Sequence, residues 1–189
     1  MTFSKRTQHN LLNSLTSLLL VIVIGLGFSL TTLASDFSQG NQQPVEFSLQ
    51  TIDGQLVTSN DLHGKITVIL FGCKGLPLMK ESLAQIQRVA DKHPKINVYV
   101  ILTNSNRPKD GTFVSEAELQ TAIGASNLRV PVLRDPNGDQ LFKKLGLRVL
   151  PSLIILNRQG ELAAAAREGF DPTVNLASQL TLEIERAEQ

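Results

Sequence analysis

One residue of this 189-residue chain carries a thiol, Cys73, and three carry imidazoles, His9, His63 and His93. A lone cysteine excludes a disulfide within the chain, so thiol chemistry here uses one sulfur or borrows a partner's. Cys73 comes after an apolar run, has Lys74 beside it, and precedes a helical pattern. A helix start and an ammonium group nearby would both favour the thiolate and lower its pKa. Such a thiolate could hold a partner in a mixed disulfide, be oxidised to a sulfenic acid, or depend on an outside thiol for release. The plainer alternative is a small buried hydrophobe at the end of a strand. The histidines have no metal-ligand spacing with Cys73, and neither a metal nor a cofactor is expected. Asp135, Asn137 and Asp139 alternate as in part of a calcium loop, but the closing glutamate is missing and a turn before a helix accounts for them. No phosphate-cradling glycine loop and no Ser-His-Asp arrangement stands out.

The elements that must position Cys73 begin after a targeting segment. Lys5 and Arg6 precede a stretch without Asp, Glu, Lys or Arg that lasts until Asp36. Leu15 to Ala34 is about long enough to cross a bilayer as a helix. Basic residues ahead of such a run keep the N-terminus in the cytoplasm and send the rest of the chain across the membrane. Residues 1–35 therefore read as a signal peptide or a membrane anchor, with cleavage after Ala34 as the alternative to retention. Polar residues 36–43 read as a linker, and residues 44–189 as one domain. Setting aside residues 1–35 leaves 16 of the 18 basic side chains against all 17 acidic ones. A domain so close to neutral has no electrostatic reason to bind nucleic acid.

Within the domain, short apolar runs alternate with amphipathic ones. Val45 to Leu49 alternates like a half-buried strand, Asp53-Gly54 marks a turn, and Gln55 to Thr58 answers as a second strand. Ile66 to Phe71 is nearly continuously apolar, as a strand buried on both faces must be. Met79, Leu83, Ile86 and Ala90 mark one helix face. Asn97 to Leu102 reads as another central strand, and Ser115 with Glu118 has capping-box spacing for a helix through Ile123. Val130 to Leu133 reads as a short strand and Asp139 to Leu145 as a short helix ending at Gly146. Ser152–Leu156, a turn at Asn157–Gly160 and Glu161–Ala166 read as a hairpin, and Thr173 to Ala187 as a closing helix. This order predicts an α/β domain with a mixed central sheet and helices on both faces.

Several stretches resemble the exported thioredoxin-like (redoxin) proteins of the TlpA and ResA type. Phe47-Ser48-Leu49 through Asp53-Gly54 resembles their opening strand and turn, and Leu62-His63-Gly64-Lys65 their lead into the central strand. Asp135-Pro136-Asn137-Gly138 with Leu141 to Leu147 resembles the segment before their cis-proline, and Leu150-Pro151-Ser152 to Leu162 the strand and hairpin after it. The resemblance runs from Pro44 to the C-terminus and implies a thioredoxin-like fold, with Leu150 and Pro151 lining a groove for a partner's peptide. It also exposes a departure. Family members carry Trp-Cys-x-x-Cys where this chain has Phe71-Gly72-Cys73-Lys74-Gly75-Leu76-Pro77-Leu78-Met79. If Cys73 matches the first cysteine, Leu76 replaces the second, three residues are missing ahead of it, and the helix face stays in phase. If Pro77 matches the proline inside the motif, Gly75 and Leu78 replace both cysteines and Cys73 lies in the loop. That register would put Gln85 and Arg88 at core positions, so helix phase favours the first.

In that register Cys73 is the candidate catalytic residue of a single-cysteine thiol–disulfide oxidoreductase acting on exported protein thiols. The other reading is a redox-inactive module that binds partner proteins or assists assembly of a membrane complex. The copper-carrying relatives of this fold need two cysteines and a histidine, and a peroxiredoxin needs Thr-x-x-Cys where this chain has Leu70-Phe71-Gly72-Cys73. Partners are expected among exported or membrane proteins, in the periplasm or thylakoid lumen, with the N-terminal helix as the contact with the membrane.

Overall fold

The computed structural model describes residues 43–169, 171 and 173–187. The expected signal or anchor, residues 1–35, and all of the linker except Gln43 lie outside them. No helix among the described residues is long and apolar enough to cross a membrane.

The strands are β1 (Ser48–Thr51), β2 (Leu56–Thr58), β3 (Thr67–Gly72), β4 (Asn97–Leu102), β5 (Val132–Arg134), β6 (Ser152–Leu156) and β7 (Arg167–Glu168). The helices are α1 (Met79–Lys92), α2 (Glu116–Gly124) and α3 (Leu176–Ala187). One mixed sheet runs in the order β2-β1-β5-β4-β3-β6-β7. β3, β4 and β5 are parallel, whereas β1 and β6 pair antiparallel to β5 and β3. All six residues of β3 are buried, which is why its sequence is a continuous run rather than an alternation. Its side chains nonetheless alternate in destination. Val68 and Leu70 join a cluster with Ile86 and Val89 of α1, Leu119 of α2, and Leu180 of α3. Ile69 and Phe71 join the opposite cluster with Ile101, Leu133, Leu141 and Phe142.

The α-helices among the described residues thus supply one face. The other is closed by Phe47, by Leu62 at the end of a short 3-10 turn, and by Leu141 to Leu147. The helices expected on both faces thus lie on one, and the helix predicted over Asp139–Leu145 is instead a run of turns. Lys143 N–H reaches Gly138 O, Leu145 reaches Leu141, and Gly146 reaches Lys143, so the spacing changes at each bond and no helical ladder forms. The cause lies upstream. Asn137 and Gly138 take left-handed backbone conformations (φ 59° and 68°), and the fully buried Asp135 carboxylate accepts the N–H groups of Gln140, Leu141 and Phe142 at 2.8–3.0 Å. A side chain does there what a helix would do with its own carbonyls.

The predicted hairpin also differs. Its turn is present, with Asn157 Oδ1 accepting from Gln159 and Glu161 N–H at 3.0 Å. The return strand does not occupy Glu161–Ala166. Leu162 makes a single bridge to Leu156, and pairing resumes only at β7, where Arg167 and Glu168 face Leu153 and Ser152. The intervening Ala163 to Ala166 lack the β-branched and aromatic side chains that hold a strand against its neighbour.

Replacing Asp135 with alanine leaves three N–H groups without their acceptor, two of them bonds the structure buries. An Asp135→Ala variant of a fragment beginning at residue 36 should lose about 3 kcal/mol in urea unfolding. A loss below about 0.5 kcal/mol would show that this carboxylate does not organise the segment.

Candidate functional site

Cys73 is the first residue after β3, at the carboxyl end of the parallel strands, where ligands of open α/β sheets gather. The loop it opens is held by β4's extension. Thr103 donates its N–H (2.9 Å) and its hydroxyl (3.3 Å) to the Gly72 carbonyl. Asn104, buried to 1% exposure, clamps the next residue from both sides. Its Oδ1 accepts Lys74 N–H at 2.7 Å, and its Nδ2 donates to the carbonyls of Lys74 and Thr112 at 3.2 Å. Gly75 then turns the chain at φ +100°, a conformation a side chain would strain. Nothing in the helix or strand periodicity marks Asn104; the only signal is a polar side chain just past the end of a parallel strand.

Neither feature expected to activate Cys73 is in place. Helix α1 starts at Met79 with Leu78 as its N-cap, five residues beyond Cys73 in the chain, so the thiol is not a helix-capping group. The Lys74 ammonium pairs with Glu118 at 3.3 Å. The thiol is half-buried, and burial pushes its pKa up from the ordinary value. The helix phase does not choose between the two registers. Met79, Leu83 and Ile86 are buried as expected and Ala90 packs half-buried against the core, but Val89 is buried as well, and so is Gln85, whose Oε1 accepts Leu176 N–H at 3.2 Å at the start of α3, while Arg88 is exposed.

The Leu150–Pro151 peptide bond is cis, as the resemblance implied. In the ladder between β3 and β6, Phe71 faces Ser152. The ladder ends there, one residue after Pro151 and two before Cys73, so the predicted site residues lie where two neighbouring strands meet their loops. The backbone around Leu150 is tied down on both sides. The Glu168 carboxylate accepts the N–H groups of Arg148 and Val149 at 2.6 and 2.7 Å, and these bonds lower its pKa. The Ser152 hydroxyl bonds the Val149 carbonyl, and Gly169 N–H bonds the Pro151 carbonyl at 2.9 Å. Leu150's own N–H and C=O have no partner among the described residues. Val149, next to Leu150, and Leu78, at the start of α1, are 49% and 46% exposed, apolar side chains left uncovered.

This geometry makes two predictions. Because the folded thiol titrates above its unfolded value, alkylation of Cys73 between pH 7 and 9 should be slower in the native chain than in the denatured one, and faster native reaction would overturn the burial argument. Glu168 has the opposite sign: its folded pKa is depressed, so its hold on Arg148 and Val149 persists above about pH 4.5 and weakens as pH falls through the lowered value. The protection factors of those two amides should fall below that range, and Glu168→Ala should show the lowered protection at every pH; unchanged protection in the variant would refute the assignment.

Among curated proteins none matches the chain. Solved structures do. A putative thiol:disulfide interchange protein DsbE from Chlorobium tepidum matches with a TM-score of 0.63 at 17% identity, over 77% of this chain and 96% of that one. The exposed lipoprotein thioredoxin Etrx1 of Streptococcus pneumoniae gives 0.60 at 24% identity, over 73% and 98%. A secreted disulfide oxidoreductase of Mycobacterium tuberculosis gives 0.58 at 18% identity, over 75% and 96%. At these identities the likeness is one of fold, and that fold is thioredoxin-like. The model of the AhpC/TSA family matches residues 40–165, two-thirds of the chain, and the chain belongs to the AhpC/TSA family.

Proposed function

We propose that this protein is an exported thioredoxin-fold module that binds an extended segment of a partner protein by strand pairing at Leu150. The observation that carries the reading is the peptide group of Leu150, without a partner among the described residues, between neighbours whose own backbone groups are already bonded. A partner strand adds its main-chain hydrogen bonds there at little ordering cost, because Glu168, Ser152 and Gly169 have already fixed the flanking backbone. Exposed Leu78 and Val149 supply apolar contact for the partner's side chains. Export rests on Lys5 and Arg6 ahead of the apolar stretch, and it agrees with relatives described as an exposed lipoprotein and a secreted protein.

Redox turnover is a poorer fit. A mixed disulfide at Cys73 needs a second thiol to resolve it, and the chain has none. One observation still favours a thiol role: Cys73 follows β3 and Pro151 precedes β6, and the ladder joining these neighbouring strands ends at Phe71 and Ser152. In a mixed disulfide formed there, the Cys73 thiolate would attack a partner disulfide, expelling one partner sulfur as thiolate, and an external thiol would release the chain.

The two readings separate in one experiment. With a photo-cross-linking residue at Val149 in the native cells, peptide binding predicts one defined adduct that survives Cys73→Ser and is lost with Leu78→Asp. Loss of the adduct in Cys73→Ser, with survival in Leu78→Asp, would reject strand-paired docking in favour of the thiol.

A further inference from the structure

Asn104 connects the Cys73 loop to a second polar feature that the Leu150 groove does not use. While its amide holds Lys74, its carbonyl accepts a hydrogen bond from Arg134 Nη2 at 3.3 Å. Arg134 ends β5 and is only 6% exposed. The same Nη2 lies 3.5 Å from Glu116 Oε1, but that glutamate side chain is 57% exposed and largely solvated. Arg134 Nε and Nη1 are buried and have no acceptor among the described residues. The residue lines a cavity of about 470 Å³ with Ser48, Gln50, Asn106, Glu116 and Gln140.

A buried guanidinium with unmatched N–H groups is costly, and an exposed carboxylate touching only its outer nitrogen offsets little of that cost. Nε and Nη1 are closed off from the cavity's open space, so an acceptor entering it would supply the missing bonds by turning the guanidinium toward itself, and an ionised one would do so most strongly. Cavities of this volume take small molecules. Glu116 limits the charge, since one negative group already stands beside the guanidinium and a dianion would be repelled more than a monoanion. We propose that this cavity is a carboxylate-binding site, with Arg134 as the anchoring cation and the amides of Gln50, Asn106 and Gln140 as its polar wall. The site does not depend on peptide binding at Leu150. The carboxylate belongs either to a small free acid or to an aspartate or glutamate side chain of a partner, and both present the same group to Arg134.

The test uses the full chain labelled with ¹⁵N and tracks the Arg134 Nε–H resonance, which burial keeps from exchanging rapidly. Sodium acetate should shift it saturably, whereas sodium chloride at the same ionic strength should not, and inorganic phosphate at pH 7 should bind at least about tenfold more weakly than acetate. Glu116→Gln, at an exposed position, should tighten acetate several-fold by removing the competing charge. Arg134→Met should abolish the response of the Gln50 and Gln140 amide signals. A short peptide, acetyl-Gly-Asp-Gly-amide, separates the sources: saturation by acetate and peptide alike assigns a partner's side chain, and saturation by acetate alone assigns a small free acid. Absence of a saturable acetate shift in both the wild-type chain and Glu116→Gln overturns the proposal, even if Arg134→Met fails to fold.

Discussion

Burial of β3 on both faces is the constraint on which the rest of the structure depends. A strand with Thr67 to Gly72 all inside needs a partner on each edge and a layer on each side. Each fully buried Leu, Ile or Phe there contributes about 1.5–3 kcal/mol. β4 and β6 satisfy its hydrogen bonds, α1 and α3 cover Val68 and Leu70, and the segment around Leu141 and Phe142 covers Ile69 and Phe71. Once those layers are fixed, the chain can leave the sheet only at its ends. The carboxyl end of β3 therefore delivers Cys73 next to the strand that Pro151 introduces.

At that end the polar interactions are arranged to hold backbone still. Thr103 and Asn104 fix Gly72 and Lys74, and Glu168 and Ser152 fix Arg148 and Val149. Activation of a thiolate asks for something else: a nearby helix start, free positive charge and access to water. Here the lysine beside the thiol is paired with Glu118, which also closes the α2 capping box, and the sulfur is half-buried. Such an edge, with a Leu150 peptide group that has no partner among the described residues, is built for rigidity, which does not require the thiol to react.

Parts of the chain were legible residue by residue because their causes are local. The α2 capping box forms with both reciprocal bonds, between Ser115 and Glu118. The face of α1, the extent of β4, the Asn157 turn and the cis bond at Pro151 also stand where the residues put them. Local patterns misled where a side chain overrode them. The Asp139–Leu145 periodicity is that of a helix, yet Asp135 takes the N–H groups such a helix would use. The hairpin's second strand lost its predicted place because an alanine run offers little to a pleated surface, whatever the turn before it favours.

By itself, then, the sequence determined the α/β order of elements, the two-sided burial of the central strand, the absence of any internal disulfide, and the thioredoxin-like character of the domain. Hydrophobic period, caps and turn residues act over a few positions and survive without knowledge of the rest. Only the tertiary structure decided the state of Cys73 and the bonding of the backbone beside it. The clamp on Lys74 comes from 30 residues away, and that on Arg148 and Val149 from 20 and 19. A thiol's pKa and a peptide group's freedom are sums over whatever the fold brings near, and no local pattern encodes them.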